Sequence, residues 1–347
     1  MKILHVLYSN RFSGAENVVC QIIGMMKKVP GVEMVYCSPD GQIREALSER
    51  DIAFEPIAEL SKAELRRVIA KVRPDVIHAH DMRASFVAAL ACKKMPLISH
   101  IHNNAFDSRG LSPKSVAYTI AARKAKRIFW VSESAFEGYA FHKSFAKKSE
   151  VLRNIIDIDA LYAKMALDTK EYSYDLAYVG RLTYPKNPQR LMGVIAKMKE
   201  LKPDLRVAVV GNGDLEEETH ALAKEYGILD NVDFLGFQSN PLKILYSSSS
   251  MIMVSRWEGT PMCALEAMAL GVPIVSTPVD GLKVLVQQDE NGYLSDDDGE
   301  IAKKVVEIAT DPALRERLSK DTLAKAKVLN DTQVYTERLL RAYAIKS

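Results

Sequence analysis

Short apolar segments alternate with amphipathic segments along almost the whole chain. Most of the apolar segments are continuously hydrophobic, which is typical of parallel strands covered on both faces. The amphipathic segments between them predict helices, so the pattern favours a doubly wound α/β fold. The predicted strands form two series, 2–8, 75–80, 96–102, 127–132 and 150–156, followed by 175–180, 206–211, 232–237, 250–255 and 273–277.

Two series of strands in 347 residues predict two domains. We expect an N-terminal domain over 1–160, a polar linker over 161–174 and a C-terminal domain over 175–330. The amphipathic segment 331–347 predicts a helix that packs back on the first domain. Parallel sheets bind ligands at the carboxyl ends of their strands, so we expect a site in a cleft where the two domains face each other.

The composition is that of a soluble globular protein, with 48% hydrophobic and 26% charged residues. No apolar run reaches the roughly 18–20 residues that a membrane span needs. The four cysteines are scattered without a CxxC pair, which favours a reducing compartment and excludes a thiolate zinc site. We therefore expect a cytoplasmic location.

The net charge of +3 is uneven along the chain. Residues 1–160 hold 24 basic and 17 acidic side chains, whereas the remainder holds 23 and 27. The densest basic stretches, 123–127 and 142–148, are either solvated helix faces or a weak dock for an anionic membrane surface or acidic acceptor. They carry no interleaved aromatic stacking platform, so no nucleic acid partner is expected.

Three loops after predicted strands carry residues suited to a phosphorylated ligand. Gly14 opens a helix after the first strand, where a helix N-terminus favours an anion. Arg181 and Lys186 follow the strand at 175–180 and would suit a diphosphate. Gly211, Asn212 and Gly213 make another strand-to-helix turn. Taken alone, the two glycine turns are better explained as plain tight turns, and the basic loop is equally explained as an exposed loop.

The segment 255–277 contains a glutamate that needs an explanation. Thr260 followed by Pro261 predicts a helix N-cap and first position, and Gly271 with Pro273 predicts the stop, so a helix is expected over 261–270. Glu266 lies in this apolar helix, and side chains tilt toward the N-terminus, so it leans toward Glu258. The two carboxylates and the free amides of the first turn would face one small volume. Sugar hydroxyls would satisfy the carboxylates; a structural ion pair with an arginine is the alternative.

These motifs resemble the retaining glycosyltransferases of family 4, which have the GT-B fold of two Rossmann-like domains facing across a cleft. The segment EGTPMCALE is an E-x7-E element, and YVGRLTYPKNP is similar to the family's Arg/Lys diphosphate loop. The segments SGAE, VSES, RNIID, VVGNGDLEEE and FLGF are similar to family segments in the same order, with Ser13 and Ile155 where glycine is common. The resemblance covers nearly the whole chain.

The resemblance implies that the chain transfers a sugar, with retention, from a nucleotide-sugar, with UDP- and GDP-sugars favoured, to a glycan or lipid-linked acceptor of cell-surface polysaccharide synthesis. Arg181 and Lys186 would neutralise the donor diphosphate. Glu266 would bind the ribose, Glu258 would hold hydroxyls of the transferred sugar, and His102 would lie near that sugar. Gly14 would let the first domain close on the diphosphate.

Other residues acquire roles from the same resemblance. No metal, cofactor or enzyme nucleophile is expected, because the two cations and helix amides neutralise the diphosphate. The loop 106–115 would contact the acceptor. Donor-pocket contacts would come from Gly211, Asn212, Gly213, Phe237, Gly259, Thr260, Pro261, Met262, Cys263 and Leu265, and acceptor contacts from Arg109 and Lys114.

Three alternatives stay open. The H-x-H pairs at 78–80 and 100–102 place two histidines on one face of each predicted strand, as in a metal-dependent hydrolase. A nucleotide-sugar epimerase of the same fold and a catalytically silent binding subunit are the others. Identifying the product separates these interpretations: a transferred sugar, an epimerised sugar or neither.

Overall fold

The computed structural model describes residues 1–102 and 110–344, and divides the chain into two compact units. The first unit comprises Met1–Ile155 and Asp331–Ser347, and the second comprises Ile156–Asn330. Within the described residues, no helix is both long and apolar enough to cross a bilayer.

The first unit is built on a seven-stranded parallel sheet in the order β3-β2-β1-β4-β5-β6-β7. Its strands are β1 Lys2–Val6, β2 Glu33–Pro39, β3 Phe54–Ile57, β4 Val76–His80, β5 Leu97–Ile101, β6 Arg127–Trp130 and β7 Ser149–Val151. Its described helices are α1 Gly14–Met26, α2 Ile43–Ser48, α3 Lys62–Val72, α4 Asp81–Ala91, α5 Pro113–Lys124, α6 Glu133–Gly138, α7 His142–Phe145 and α16 Thr332–Tyr343.

The second unit is built on a six-stranded parallel sheet in the order β10-β9-β8-β11-β12-β13. Its strands are β8 Tyr174–Val179, β9 Val207–Val210, β10 Val232–Gly236, β11 Ser248–Met253, β12 Ile274–Ser276 and β13 Gly292–Leu294. Its helices are α8 Ile158–Met165, α9 Pro188–Leu201, α10 Glu216–Glu225, α11 Leu242–Tyr246, α12 Met262–Ala269, α13 Asp280–Leu285, α14 Asp298–Thr310 and α15 Pro312–Leu329.

The predicted fold class is confirmed, because both sheets are parallel with helices connecting their strands. Central strands such as β4 and β5 are buried at every position, which explains their continuous hydrophobicity. In each sheet the strand order reverses once, between β1 and β4 in the first unit and between β8 and β11 in the second. These reversal points are where open α/β sheets bind ligands at their carboxyl ends.

Two segments outside the sheets have defined positions. The residues predicted as a linker, 161–174, belong to the second unit and begin inside α8, where the Tyr162 hydroxyl donates to the Ala269 carbonyl at 3.1 Å. Helix α16 belongs to the first unit, and its Tyr343 hydroxyl lies 2.8 Å from His78 Nδ1. A hydrogen bond to this buried histidine fixes the end of the helix on the sheet.

Candidate functional site

The loop after β8 carries the two cations that the sequence singled out. Lys186 ends a short 3-10 turn, and the Tyr178 hydroxyl donates to the Arg181 carbonyl at 2.9 Å, which fixes the start of the loop. Arg256, from the loop after β11, donates its backbone N–H to the Pro185 carbonyl at 2.8 Å. The loops after β8 and β11 are therefore joined at the reversal point of the second sheet. The side chain of Arg181 is exposed.

Lys186 and Glu258 form a buried ion pair at this point. The Lys186 Nζ lies 2.5 Å from Glu258 Oε1, and the same oxygen accepts from Ser255 Oγ at 2.7 Å. Burial is the largest single influence and lowers the pKa of the Lys186 ammonium, but the attraction and hydrogen bond of Glu258 together with Cys263 outweigh it, so the pKa lies above its usual value. The predicted diphosphate cation and the predicted sugar-binding carboxylate thus compensate each other's charge.

Helix α12 begins one residue later than predicted. Pro261 is the N-cap, with an extended ψ of 125°, so Thr260 is not the cap and Pro261 is not the first helical residue. The proline ring fixes φ, but it leaves ψ free to be extended. The Leu265 N–H donates to the Pro261 carbonyl at 3.3 Å, whereas the amides of Met262, Cys263 and Ala264 precede the first intrahelical bond.

Glu266 lies on the less buried face of α12. Its neighbours Leu265 and Ala267 are buried, whereas Glu266 and Cys263, three residues earlier, are half-buried. The helix thus keeps this carboxylate out of the apolar core, so the core does not have to accommodate its charge. Burial raises the pKa of the Cys263 thiol to about 12, and Lys186, Glu258 and Glu266 also act on it electrostatically. All three charged groups therefore lie close enough to act on the same thiol.

The glycines of the loop after β9 are required by backbone packing. A Cβ on Gly211 would lie 2.0 Å from the Gly180 carbonyl oxygen, and one on Gly213 would lie 2.1 Å from that of Leu182. Gly211 also has a φ of +128°, and the Leu182 N–H donates to the Asn212 carbonyl at 2.9 Å. These contacts account for both glycines without a ligand. Phe237, after β10, is 58% exposed.

A residue that the sequence analysis missed shapes the other side of the site. Gly281 lies in the first turn of α13, and a Cβ there would lie 1.4 Å from the Gly259 carbonyl oxygen. The helix therefore packs directly against the backbone that carries Glu258. The only sequence signal is a glycine inside a helical segment, which without the neighbouring loop gives no hint of this contact.

Two of the predicted residues of the first unit, Gly14 and Lys114, lie in the first turns of helices. Gly14 is the first residue of α1, and a Cβ there would meet no atom within 4 Å, so packing does not require this glycine. Glu16, in the same turn, is buried, and Ser13 Oγ donates to it at 2.5 Å. Lys114 is half-buried in the first turn of α5. Arg109 lies outside the described residues.

His102 belongs to a hydrogen-bonded chain of histidines. His5 Nδ1 lies 2.9 Å from His80 Nε2, and His80 Nδ1 lies 2.8 Å from His102 Nε2. His5 Nε2 lies 3.3 Å from the Met34 sulfur, which as a thioether only accepts. His5 therefore carries its hydrogen on Nε2, and in a neutral chain His80 and His102 do the same. The other nitrogen of His102, Nδ1, is left as an acceptor.

Comparison with known proteins identifies the family of the chain. The model for glycosyltransferase family 4 matches residues 12–160, and the model for glycosyl transferases group 1 matches residues 164–324. The D-inositol 3-phosphate glycosyltransferase of Kribbella flavida is 30% identical over 323 residues, covering 80% of this chain and 76% of that protein. A UDP-Gal:alpha-D-GlcNAc-diphosphoundecaprenol alpha-1,3-galactosyltransferase of Escherichia coli is 23% identical over 85% of this chain and 84% of that protein.

Other matches are shorter or are structural. An uncharacterized glycosyltransferase of Methanocaldococcus jannaschii is 27% identical over 61% of this chain, and the matched part is only 57% of that protein. Anabaena HepE in complex with UDP-glucose superposes with a TM-score of 0.85 at 21% identity, covering 98% of both chains. At such identity the likeness establishes the fold, which is GT-B. The chain belongs to glycosyltransferase family 4.

Proposed function

We propose that this protein is a retaining glycosyltransferase that moves a sugar from a UDP- or GDP-sugar to a glycan or lipid-linked acceptor. The observation that carries the proposal is the buried pair of Lys186 and Glu258 beside the first turn of α12, at the reversal point of the second sheet. A cation for phosphate, a carboxylate for sugar hydroxyls and helix amides for phosphate oxygens then lie together.

The ion pair leaves Lys186 able to bind a phosphate. An ammonium has three N–H donors, and one of them serves Glu258. Glu258 is itself fixed by Ser255, so Lys186 is held in position before a donor binds. Arg181 adds an exposed guanidinium, which suits bidentate contact with a diphosphate. These groups would stabilise the charge that grows on the departing diphosphate, and we propose that no metal ion takes part in this step.

Retention would proceed by substitution on one face of the sugar, with the donor phosphate assisting deprotonation of the acceptor. Glu258 is poorly suited to be a covalent nucleophile, because Oε1 already accepts hydrogen bonds from Lys186 and Ser255. We assign it instead to the hydroxyls of the transferred sugar, and Glu266 to the ribose. The roles that the resemblance gives Gly14 and His102 in the first unit stay predictions.

The relatives support the choice of donor and acceptor. The Anabaena structure contains UDP-glucose, and the Escherichia coli relative is named for transfer from UDP-Gal to a diphosphoundecaprenol-linked sugar. A Campylobacter jejuni relative, 29% identical over 56% of this chain, is also named for a diphospho-undecaprenol acceptor. We therefore propose a lipid-linked acceptor in cell-surface polysaccharide synthesis.

A lipid-linked acceptor requires the enzyme to visit a membrane surface. Some of the basic residues in the first unit are already engaged, since Lys124 Nζ donates to the Ala89 carbonyl at 3.0 Å and Lys148 Nζ to the Ala125 carbonyl at 2.8 Å. The exposed members that remain for anionic lipid are Arg123, Lys126, Lys143 and Lys147. We propose a cytoplasmic enzyme that binds the inner membrane surface weakly through these four side chains.

A thermal-shift panel with UDP-, GDP-, ADP- and TDP-sugars tests the donor site, using wild type and Glu266→Ala. We expect one nucleotide series to raise the Tm of the wild type only, because the half-buried Glu266 loses its ribose contacts without disturbing the core. Equal shifts in both proteins would contradict the role of Glu266, and no shift with any donor would contradict the donor site.

Product analysis separates the remaining alternatives. Sugar joined to the acceptor supports the proposal. Epimerised nucleotide-sugar, free sugar or unchanged donor would instead indicate an epimerase, a hydrolase or a silent subunit.

A further inference from the structure

Five of the seven histidines of the chain gather at the carboxyl ends of β1, β4 and β5. His5 lies beside His78 in the sheet register, and His80 lies beside His100. The alternation of the strands places His78 and His80 on one face, and their rings are 4.3 Å apart between centroids. A 4.1 Å separation of the His100 and His102 rings extends the cluster. The transfer chemistry proposed above uses none of these rings except His102.

We propose that His80, His100 and His102 form a binding site for a Zn²⁺-type metal ion. Each of these residues offers one ring nitrogen, and the three nitrogens lie within 4.8 Å of one another. Three imidazoles with one position left open are a common zinc ligand set, with metal–nitrogen distances of about 2.0–2.1 Å. The rings would have to turn for all three nitrogens to reach that distance from one ion. This site departs from the sequence-based expectation that the protein holds no metal.

Unpartnered nitrogens support the assignment. Both ring nitrogens of His100 and the Nδ1 of His102 are buried without a hydrogen bond in the part of the chain that the structure describes. Leaving such groups unsatisfied is costly, and a missing ion or water is the usual explanation in a native protein. A cation bound by one nitrogen of each ring would satisfy two of these three nitrogens.

The tautomers of the histidine chain also bear on ligation. His102 Nδ1 carries no hydrogen and presents a lone pair, whereas the lone pair of His80 Nδ1 accepts from His102 Nε2. His80 therefore has to exchange this hydrogen bond for the metal.

Neighbouring groups would also orient the ligands. His80 Nε2 is hydrogen-bonded to His5, and His5 to the Met34 sulfur, which is the kind of outer contact that fixes a ligating imidazole. The backbone N–H of His102 donates to Asp81 Oδ1 at 3.0 Å, which fixes the main chain at His102, and Asp81 has a strained φ of 66°. A second triad, of His5, His78 and His80, shares His80 but is buried at every member. We assign the metal to the triad that contains His102, because His102 is half-buried whereas every member of the second triad is buried.

The test is metal binding by the full chain without a polyhistidine tag and without any sugar donor. After treatment with chelator and dialysis, Zn²⁺ is titrated by calorimetry, and Co²⁺ is added as a coloured substitute. We expect one equivalent of metal, a visible absorption band from Co²⁺, and a Tm raised by about 5–10 °C at a hundredfold excess of Zn²⁺ over its Kd.

Variants assign the ligands. His102→Gln should weaken Zn²⁺ binding at least ~10-fold and abolish the Co²⁺ band, and it should stay folded because this side chain is half-buried. His142→Gln and His220→Gln remove the two histidines outside the cluster and should bind like wild type. Tight binding by His102→Gln, or binding lost only in His5→Gln, would overturn the assignment to this triad. The absence of a Zn²⁺-induced Tm shift in wild type would overturn the site itself. Sugar transfer is not part of any of these readouts, so the two proposals fail independently.

Discussion

Two of the buried glutamates, one from each unit, lie in different charge environments. Glu16 in the first unit is 4% exposed and Glu258 in the second is 7% exposed. Glu258 is paired with an ammonium, whereas Glu16 accepts from the Ser13 hydroxyl in the first turn of α1. Burial raises the pKa of Glu16, and the bonds from Ser13 and the backbone only partly oppose this rise.

Similar burial therefore goes with different charge environments. A carboxylate beside a fixed cation has its charge compensated and can hold that cation in place for a ligand. A carboxylate that has only neutral donors is costly in its charged form and contributes mainly through hydrogen bonds. We therefore expect Glu258 and Lys186 to be functional, and Glu16 to influence stability more than transfer.

The largest effect should follow from Lys186→Met. Removing the ammonium leaves Glu258 buried without compensation, so we expect a loss of about 3 kcal/mol in the free energy of unfolding. The rate of sugar transfer should fall at least ~10²-fold, because the diphosphate loses a cation. Urea unfolding and kcat measure the two effects.

A double variant and a matched pair make this prediction sharper. Lys186→Met combined with Glu258→Gln should recover most of the stability but none of the activity. Lys304→Met removes the ammonium of a more exposed pair with Glu307 in the same unit and should cost no more than ~1 kcal/mol. If Lys186→Met and Lys304→Met lost the same free energy of unfolding, burial of the ion pair would not determine the cost.

Arg181→Ala should lower the transfer rate by about 10²–10³-fold with little change in stability. This guanidinium is exposed and no carboxylate pairs with it among the described residues, so its removal uncovers no buried charge. Arg181→Lys should have an intermediate rate, because it keeps the charge but loses the bidentate fork. A rate for Arg181→Ala within a few-fold of wild type would contradict a role on the leaving group.

Gly281→Ala should destabilise the second unit by about 1–3 kcal/mol, because its Cβ would overlap the Gly259 carbonyl. The loop that carries Glu258 must then move, so the transfer rate should also fall, by up to ~10²-fold. Gly193→Ala, in the middle of α9 with no atom within 4 Å of its Cβ, is the control and should stabilise by about 0.5–1 kcal/mol. If both variants behaved alike, the proposed contact with Gly259 would be wrong.

The smallest effect concerns Glu16→Gln and depends on pH. The pKa of Glu16 is raised in the folded protein, so its favourable contribution is complete below the unfolded pKa and is lost as the pH rises through the folded pKa. The variant should therefore be more stable than wild type at pH 7–8, by about 2–4 °C in Tm, and equal to it near pH 4. Glu45→Gln changes an exposed glutamate in α2 and should show no such trend. A Tm difference for Glu16→Gln that is independent of pH would contradict this prediction.

Much of the fold follows from local patterns, and the exceptions have a physical reason. Continuous apolar runs predicted the central strands correctly, because burial on both faces demands them. The strands β3 and β13 were not predicted: they have only four and three residues and lie at sheet edges, where pairing with one neighbour defines them. The strand β2 was also missed, although its interior is apolar and buried. The start of α12 was misplaced by one residue at Pro261, because ψ of a proline is not fixed by its ring.

The sequence by itself determined the two parallel sheets, the family and the residue types at the candidate site, since these depend on short-range periodicity and on motifs of a few residues. Only the tertiary structure decided which residues meet. Lys186 and Glu258 are 72 positions apart, and His5 and His80 are 75 apart, yet both pairs are in contact. In a doubly wound sheet the strands at the reversal point are neighbours in space but not along the chain. Contacts made there depend on the order of strands in the sheet, and no local pattern encodes that order.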